Sequence, residues 1–598
     1  MSKHVWWAVA VILLALVTVG VRTYHVGEWL HYELDQARDF RIISAAIQYG
    51  PGELPLQGPK AAGNVLIRDA DTGELTDKTT LRLGPLFYYI EYASALIFGA
   101  TPLGAVMLII ILSILTVPVF YVFLRRLFSP VLAWGGSALM AVSLFFVTYS
   151  RFGWNPNLLP VFLLVFALAL LYSVDTTRSP RVRGWSLVVA AIAMAAAGQM
   201  HFLAFTTAPV IGVMFLLLTH RRVFSRQYGI AWRYIAGAIL AFVLLQTPLI
   251  INDIKTGGEN TKAFVAALTQ KSSKEQHSLL EKTIRNTGNH IKYAWLILTG
   301  DQRAEVPQYR RGDIICDYSC RKGIVRGGIS ALLLAAGAVI MIREYRRCRD
   351  KRRRDAIRLV ALWGGVVFLA YIPLSYSMAP RFFLVHGPVA IVLFLFIIQA
   401  IAARSRSVGY GILALALASN AVFVWNDFSQ RAAAARGEDV RIQTDYVLKE
   451  KTRMPLVMME RIIEHIRRRH EQTGYPVWLH GQAEFKRAFW ERLDSAGIAR
   501  FSASKHLETA PRDGLYFIIV RTQSDQEAYL SSIMQNATVA DRVSFGTLTL
   551  YELRPLPHVI TSDPPSLYVQ RRDPQFSSNA QVRYLWRQVF DDETKRSD

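Results

Sequence analysis

The chain has 598 residues, 52% of them hydrophobic, and a mean hydropathy of +0.24. Apolar runs near the roughly 20 residues needed to cross a bilayer recur along it, which excludes an ordinary soluble protein and predicts a polytopic α-helical membrane protein. A formal charge of +23 does not point to nucleic acid, because much of the excess Lys and Arg sits in short clusters between apolar runs, as topology and anionic lipid require.

The first run, Val5 to Val21, follows only Lys3 and has no small-residue cleavage site after it, so it reads as a retained span. A polar loop from Arg22 to Arg82 follows. Within it Tyr32 to Gln48, YELDQARDFRIISAAIQ, has helical spacing. Asp35 and Asp39, four apart, share one face, and Phe40, Ile43 and Ile47 form an adjoining apolar stripe. Gly84 to Ala100 (GPLFYYIEYASALIFGA) is short, carries Glu91, and reads either as a span or as an interfacial helix. Charge bias decides for the interface. With that choice the basic connections Arg125-Arg126, Arg178 to Arg183, Arg221 to Arg233, Arg343 to Arg358 and Arg404 to Arg406 all share the side of Lys3, the cytoplasmic side.

The remaining spans are then Pro102 to Leu124, Val131 to Tyr149, Leu158 to Val174, Trp185 to Gly198, Phe202 to Leu218, Tyr234 to Ile251, Ile324 to Ile342, Leu359 to Leu374, Phe382 to Ala402 and Val408 to Trp425. With the first they make about eleven, an odd number that places the C-terminus outside. Cys316 and Cys320 share an outer loop and pair if that compartment is oxidising, whereas Cys348 lies alone in a basic loop. Residues 1–425 thus form the membrane domain, with outer loops at about 22–101 and 252–323. Residues 426–598 form a small extracytoplasmic α/β domain. There, charged helical patterns (Val440 to His470, Glu484 to Ser495, Ser524 to Gln535) alternate with strand-like runs, VWLH from Val477, LYFIIV from Leu515 and FGTLTLYEL from Phe545.

Spacing alone leaves Asp35 and Asp39 readable as a solvated face paired with Arg38 and Arg41. Convergence favours chemistry, because polar groups gather at the outer ends of different spans: Arg151 and Asn155 in YSRFGWNPN, His201 in GQMHF, Asp253 after LLQTPLIIN, and Arg381 in SMAPRFFLVHGP. Each has a plain structural alternative: snorkelling for Arg151, a hydrogen-bonded core role for His201, a solvated end for Asp253. Carboxylates and cations at headgroup depth suit a reaction on a lipid-linked phosphate, an acid serving as general base or metal ligand and arginines balancing the departing charge. No P-loop, no G-x-G-x-x-G in a strand-turn-helix setting and no H-E-x-x-H is present, so a soluble nucleotide site is not supported.

The order D-Q-A-R-D from Asp35, L-G-P-L-F-Y-Y from Leu83, R-R-L-F from Arg125 and Y-S-R-F-G-W-N-P-N-L-L-P from Tyr149 resembles the GT-C superfamily of integral-membrane glycosyltransferases. It looks closest to the bacterial branch of family 39, which is related to protein O-mannosyltransferases and the lipid A aminoarabinose transferase. The likeness spans roughly Trp6 to Ala402. It implies a polyprenyl-phosphate-linked sugar donor, inversion at the anomeric carbon, an extracytoplasmic site, and juxtamembrane helices in the first outer loop. By the same likeness Asp35 is the catalytic acid and Asp39 its second. The likeness also makes Arg381 a contact of the donor phosphate; from their places near the outer ends of spans, Arg151 is expected to join it, and His201, Asn155 and Arg82 to orient substrate. A divalent metal, Mg2+ or Mn2+, falls to Asp35 and Asp39 if one is used, since the superfamily contains both kinds of enzyme. Gln36 replaces an acid often found there, and Leu83 and Gly84 stand where the lipid A branch has an acid and a lysine.

The expected partners are the lipid-linked donor, a lipid, glycan or protein acceptor, and membrane lipids, with no nucleic acid. The expected place is the cytoplasmic membrane, N-terminus inside. The rival class is a transporter or flippase of a lipid-linked intermediate, which calls for repeat symmetry or mid-span ionisable groups. A structural or assembly protein is the other rival, and for it Asp35 is dispensable.

Overall fold

The computed structural model describes residues 3–68, 75–219, 229–269, 277–310, 312–438, 454–481, 483–502, 507–521, 530–531, 533–561 and 584–590. Helix α1 (Lys3–Thr23) leads into a long first loop holding α2 (Leu34–Tyr49), the hairpin β1 (Lys60–Arg68) and β2 (Leu75–Arg82), and α3 (Leu86–Phe98). Helices α4 (Pro102–Leu124), α5 (Pro130–Val142), α6 (Leu144–Thr148), α7 (Leu159–Val174), α8 (Pro180–Met200), α9 (Phe202–Leu218) and α10 (Trp232–Lys255) follow. A second long loop carries α11 (Glu259–Thr269), α12 (Leu279–Thr299) and the hairpin β3 (Gln308–Arg310) and β4 (Asp313–Ile315). Then come α13 (Tyr318–Arg347), α14 (Lys351–Tyr371), α15 (Gly387–Ala402) and α16 (Arg406–Arg436).

Among the described residues seven helices are long and apolar enough to cross a membrane, and the shorter apolar helices α1, α5, α9 and α15 occupy four further expected positions. Proline at the first helical position starts α4, α5 and α8, where its fixed φ suits the turn and its missing N–H is no loss. The expected span from Val131 breaks at Ser143, separating α5 from α6. The freed groups are satisfied in protein: Leu144 N–H donates to Asn420 Oδ1 at 3.0 Å, and Ser143 Oγ donates to the Ile297 carbonyl at 2.9 Å.

The disulfide Cys316–Cys320 closes the start of α13, and Cys348, at its other end, is free. The last span runs on to Arg436, so the boundary expected at 425 falls inside α16.

The C-terminal region has α17 (Leu456–Thr473), β5 (Val477–Gly481), α18 (Ala483–Ser495), β6 (Arg500–Ser502), β7 (Ala510–Pro511), β8 (Leu515–Arg521), β9 (Ala537–Phe545), β10 (Leu548–Pro555) and β11 (Ile560–Thr561). Five strands form a mixed sheet in the order β6-β5-β8-β10-β9, with β5 parallel to both neighbours and β10 antiparallel to both of its own. The run from Phe545, expected as one strand, is a turn and a strand: Phe545 ends β9, and Gly546 takes a positive φ of 61° before β10. Of the expected helices, α18 matches Glu484 to Ser495; of Val440 to His470, residues 440–453 lie outside the described residues and α17 begins at Leu456; and much of Ser524 to Gln535 lies outside them too.

This region does not stand apart. One hydrophobic core continues from the membrane helices through Trp29 and Leu30 to Met458, Ile462 and Phe489. The chain then returns as α19 (Arg587–Phe590), after Tyr584 to Trp586 have crossed the long first loop: Leu56 N–H donates to the Tyr584 carbonyl, Trp586 N–H to that of Leu54, and Trp586 Nε1 to Tyr89 Oη at 2.8 Å.

Candidate active site

Helix α2 starts where expected because Glu33 and Gln36 form a reciprocal capping box, each side chain bonding the other residue's backbone N–H. Phe40 and Ile43 face the core as the apolar stripe requires, and Asp35 stands in the first turn with 37% of its side chain exposed. A carboxylate there is favoured by the helix dipole. Arg38 Nη1 donates to Asp35 Oδ1 at 2.8 Å and Trp154 Nε1 to Oδ2 at 3.2 Å, so both oxygens are held and one edge stays open.

Asp39 is placed differently from its neighbour. Only 1% exposed, it lies behind Arg38, whose Nε reaches Asp39 Oδ1 at 2.7 Å. Arg38 therefore spans the two acids. Burial works against its charge, yet Asp39, Tyr88 and Asp35 together hold its pKa well above the usual value. Where a divalent ion would bridge Asp35 and Asp39 a guanidinium already sits, so this arrangement does not fit a shared metal. A group of His465, Asp541 and Glu552 has ligand atoms within 4.8 Å of one another, but Arg469 already binds both Glu552 oxygens.

Trp154 is the hinge of the site. The loop carrying it is fixed by Gln36 Nε2, which donates to the Gly153 carbonyl at 2.8 Å. Gly153 is needed there: a Cβ would lie 2.7 Å from Glu91 Oε1 and 2.6 Å from Val106 Cγ1. Glu91, 3% exposed on α3, is pushed up in pKa by burial and by Asp39.

On the Trp154 ring lies the Arg381 guanidinium, 4.9 Å from its centre and 5.2 Å from that of Phe382. Among the described residues it makes no hydrogen bond or ion pair. Burial lowers its pKa, while the charges of Tyr149, Asp35 and Tyr293 act in the other sense. The carboxylate and the cation thus meet one indole, by its N–H and its face.

The other expected residues divide. His201 joins the site's edge, its ring 4.9 Å from that of Phe382, with Nδ1 accepting the Leu203 N–H to start α9. Asn155, in the Trp154 loop, donates to the Met200 carbonyl and ties that loop to His201. Arg151 goes elsewhere: its two Nη atoms donate to the carbonyls of Val21 and Tyr24 at the end of α1, at 2.8 and 2.6 Å, and it lies over Phe428. Burial lowers its pKa to about 9. Two of its five N–H donors thus brace the end of α1.

Arg82 lines a cavity of ≈ 170 Å³ with Gln199, Phe202, Asp253 and Phe264, and its backbone pairs with the Asn260 amide. Asp253 caps α11 by accepting the N–H groups of Asn260 and Thr261. Trp154 and Glu91 were not expected as site members. Trp154 had a signal, standing between Arg151 and the Asn155-Pro156 turn.

Residues 82–251 match the sequence model of a family described as dolichyl-phosphate-mannose-protein mannosyltransferase. No curated protein matches the chain. Its fold is similar to that of the crystal structure of ArnT from Cupriavidus metallidurans bound to undecaprenyl phosphate, with 11% identity and a TM-score of 0.51 over 94% of this chain and 100% of that one. An apo crystal structure of the Archaeoglobus fulgidus oligosaccharyltransferase matches with 12% identity and a TM-score of 0.48, over 89% of this chain and 71% of that one. The expected architecture, a helical membrane body with a C-terminal α/β region, is borne out.

Proposed function

We propose that this integral-membrane protein is a glycosyltransferase that moves a sugar from a polyprenyl-phosphate-linked donor to an extracytoplasmic acceptor with inversion. The observation that carries this reading is the Trp154 bridge, which holds on one indole a partly exposed carboxylate and a guanidinium that makes no hydrogen bond or ion pair among the described residues. The family match over residues 82–251 and the fold shared with a protein crystallised with undecaprenyl phosphate support the donor class.

In the proposed reaction an acceptor hydroxyl attacks the anomeric carbon from the face opposite the phosphate. Its proton passes to Asp35, and the bond from the anomeric carbon to the phosphate oxygen breaks with the electron pair leaving on the lipid phosphate. Arg381 balances the charge that develops there, from a setting that needs little reorganisation because aromatic faces already hold it. Arg38 and Trp154 orient the Asp35 carboxylate, and Asp39 holds Arg38. The acceptor is a lipid, glycan or protein hydroxyl.

The proposed location is the cytoplasmic membrane, with Lys3 inside and the α/β region outside. The basic connections on the side of Lys3 and the Cys316–Cys320 disulfide at the opposite end of α13 from the free Cys348 support it. A cysteine introduced at Asn64 is expected to label from outside and one at Ser407 not to; the reverse pattern overturns the orientation.

The function is tested with purified protein in lipid nanodiscs and a panel of polyprenyl-phosphate-linked sugars, reading release of lipid phosphate. Asp35→Asn is expected to abolish release while folding normally. Wild-type turnover in that variant overturns the assignment of the base.

A further inference from the structure

Helix α2 is gripped from two sides, and only one of them is the membrane body. On that side are the Gln36–Gly153 and Asp35–Trp154 hydrogen bonds. On the other side α18 lies along α2, and the segment before α2 is stitched to the start of α17: Leu456 N–H donates to the Leu30 carbonyl at 2.9 Å and Val457 N–H to that of Glu28 at 3.2 Å. At their junction Tyr32 Oη donates to Glu491 Oε2 at 2.6 Å.

This bond is buried on both sides, Tyr32 being 2% and Glu491 5% exposed. Glu491 is itself oriented, since its Oε1 accepts from Ser495 Oγ at 2.7 Å on the same helix. Arg492 next to it donates to Glu460 at 2.8 Å and comes within 4.0 Å of Glu491 Oε1. Tyr32 immediately precedes the cap residue Glu33, so its ring anchors the residue from which the first turn of α2, with Asp35, follows. On a helix a one-residue slip turns a side chain by about 100°, which would carry Asp35 off Trp154.

We infer that Glu491 is a positioning residue for the proposed reaction, holding the Asp35 helix in register through Tyr32, so that the C-terminal region is part of the catalytic apparatus. Burial also pushes the Glu491 carboxyl up in pKa, in keeping with a group enclosed by the interface. This inference rests on the transferase reading, with Asp35 as the base.

A buried hydrogen bond to a carboxyl group removed from one side leaves its partner unsatisfied, and a small displacement of the base lowers turnover more than binding. In the full-length protein in nanodiscs, Tyr32→Phe and Glu491→Ala are each expected to lower kcat for lipid-phosphate release about tenfold to a hundredfold. Donor KM should stay within about twofold. Glu491→Gln, which keeps an acceptor for Tyr32 Oη, should recover most of kcat. The double variant should be no worse than the worse single one, because both remove the same bond. Hydrogen exchange supplies a readout that needs no donor: amides 33–41 should exchange at least about tenfold faster in Tyr32→Phe, with α12 unchanged.

Unchanged exchange at 33–41, additive losses, or a change confined to KM overturns the inference. Asp35→Asn measured in parallel separates the two claims. If that variant is inactive and Tyr32→Phe is like wild type, positioning fails and the transferase stands. If exchange rises in Tyr32→Phe but no donor turns over in wild type, the transferase reading fails and Glu491 is only a brace.

Discussion

Removing the Arg381 guanidinium is the sharpest perturbation of the proposed site, because nothing among the described residues except aromatic faces competes for it. If it balances the lipid phosphate, Arg381→Ala removes a charge-assisted interaction of about 1.5–3 kcal/mol. Partial burial favours the upper half of that range. At 1.4 kcal/mol per factor of ten, kcat/KM for the donor should fall roughly 30-fold to 150-fold. Arg381→Lys keeps the charge but loses the planar contact with Trp154, about 1 kcal/mol, and should fall about fivefold. The assay is release of lipid phosphate while donor and acceptor concentrations are varied in turn. A loss below about threefold, or equal losses against donor and acceptor, would refute the phosphate role.

Gly153→Ala should drive the Trp154 loop away from Glu91 and Val106, lowering stability by about 1–3 kcal/mol and turnover with it; thermal melting and the release assay check both. Replacing Cys316 and Cys320 by serine, or reducing the wild type, should cost about 2 kcal/mol as expected for so short a loop, read as a lower Tm. The pH dependence of Glu491 has a definite sign. Its folded pKa is raised, so the folded state binds more protons than the unfolded one, and its contribution to stability is present at low pH and lost as pH rises through the folded value. The Tm difference between wild type and Glu491→Gln should therefore favour wild type more at pH 5 than at pH 8; no trend would remove the buried-acid account. Arg151→Ala should lower Tm without a selective effect on donor use, since Arg151 braces the end of α1.

Periodicity and charge bias carried the membrane part of the fold, because apolar length and Lys/Arg placement are local properties. The Asp35 helix was legible for the same reason: spacing and apolar stripe lie within one stretch. What joined Arg381 to Asp35 was not, since the link is Trp154, a residue whose aromatic face and N–H have no periodic signature. Arg151 and Arg381 look alike in sequence, each beside an aromatic at the outer end of a span. Only packing separates them, by offering the first two helix-end carbonyls and the second two rings. Asp39 shares a face with Asp35, yet one turn further along the helix it points into protein, and Arg38 takes the place a metal would need. The least legible element is the contact of Tyr32 with Glu491, 459 residues away.

That separation sets an order of events during synthesis. The stretch bearing Asp35 is made well before Glu491 and the crossing segment at Tyr584 to Trp586. At roughly 5–20 residues per second, 459 residues take on the order of half a minute or more. Through that interval the acids are present without the grip that aims them. If Asp35 is the base and the Tyr32–Glu491 contact aims it, a half-made chain is chemically silent, and competence comes only once the α/β region has folded down onto α2.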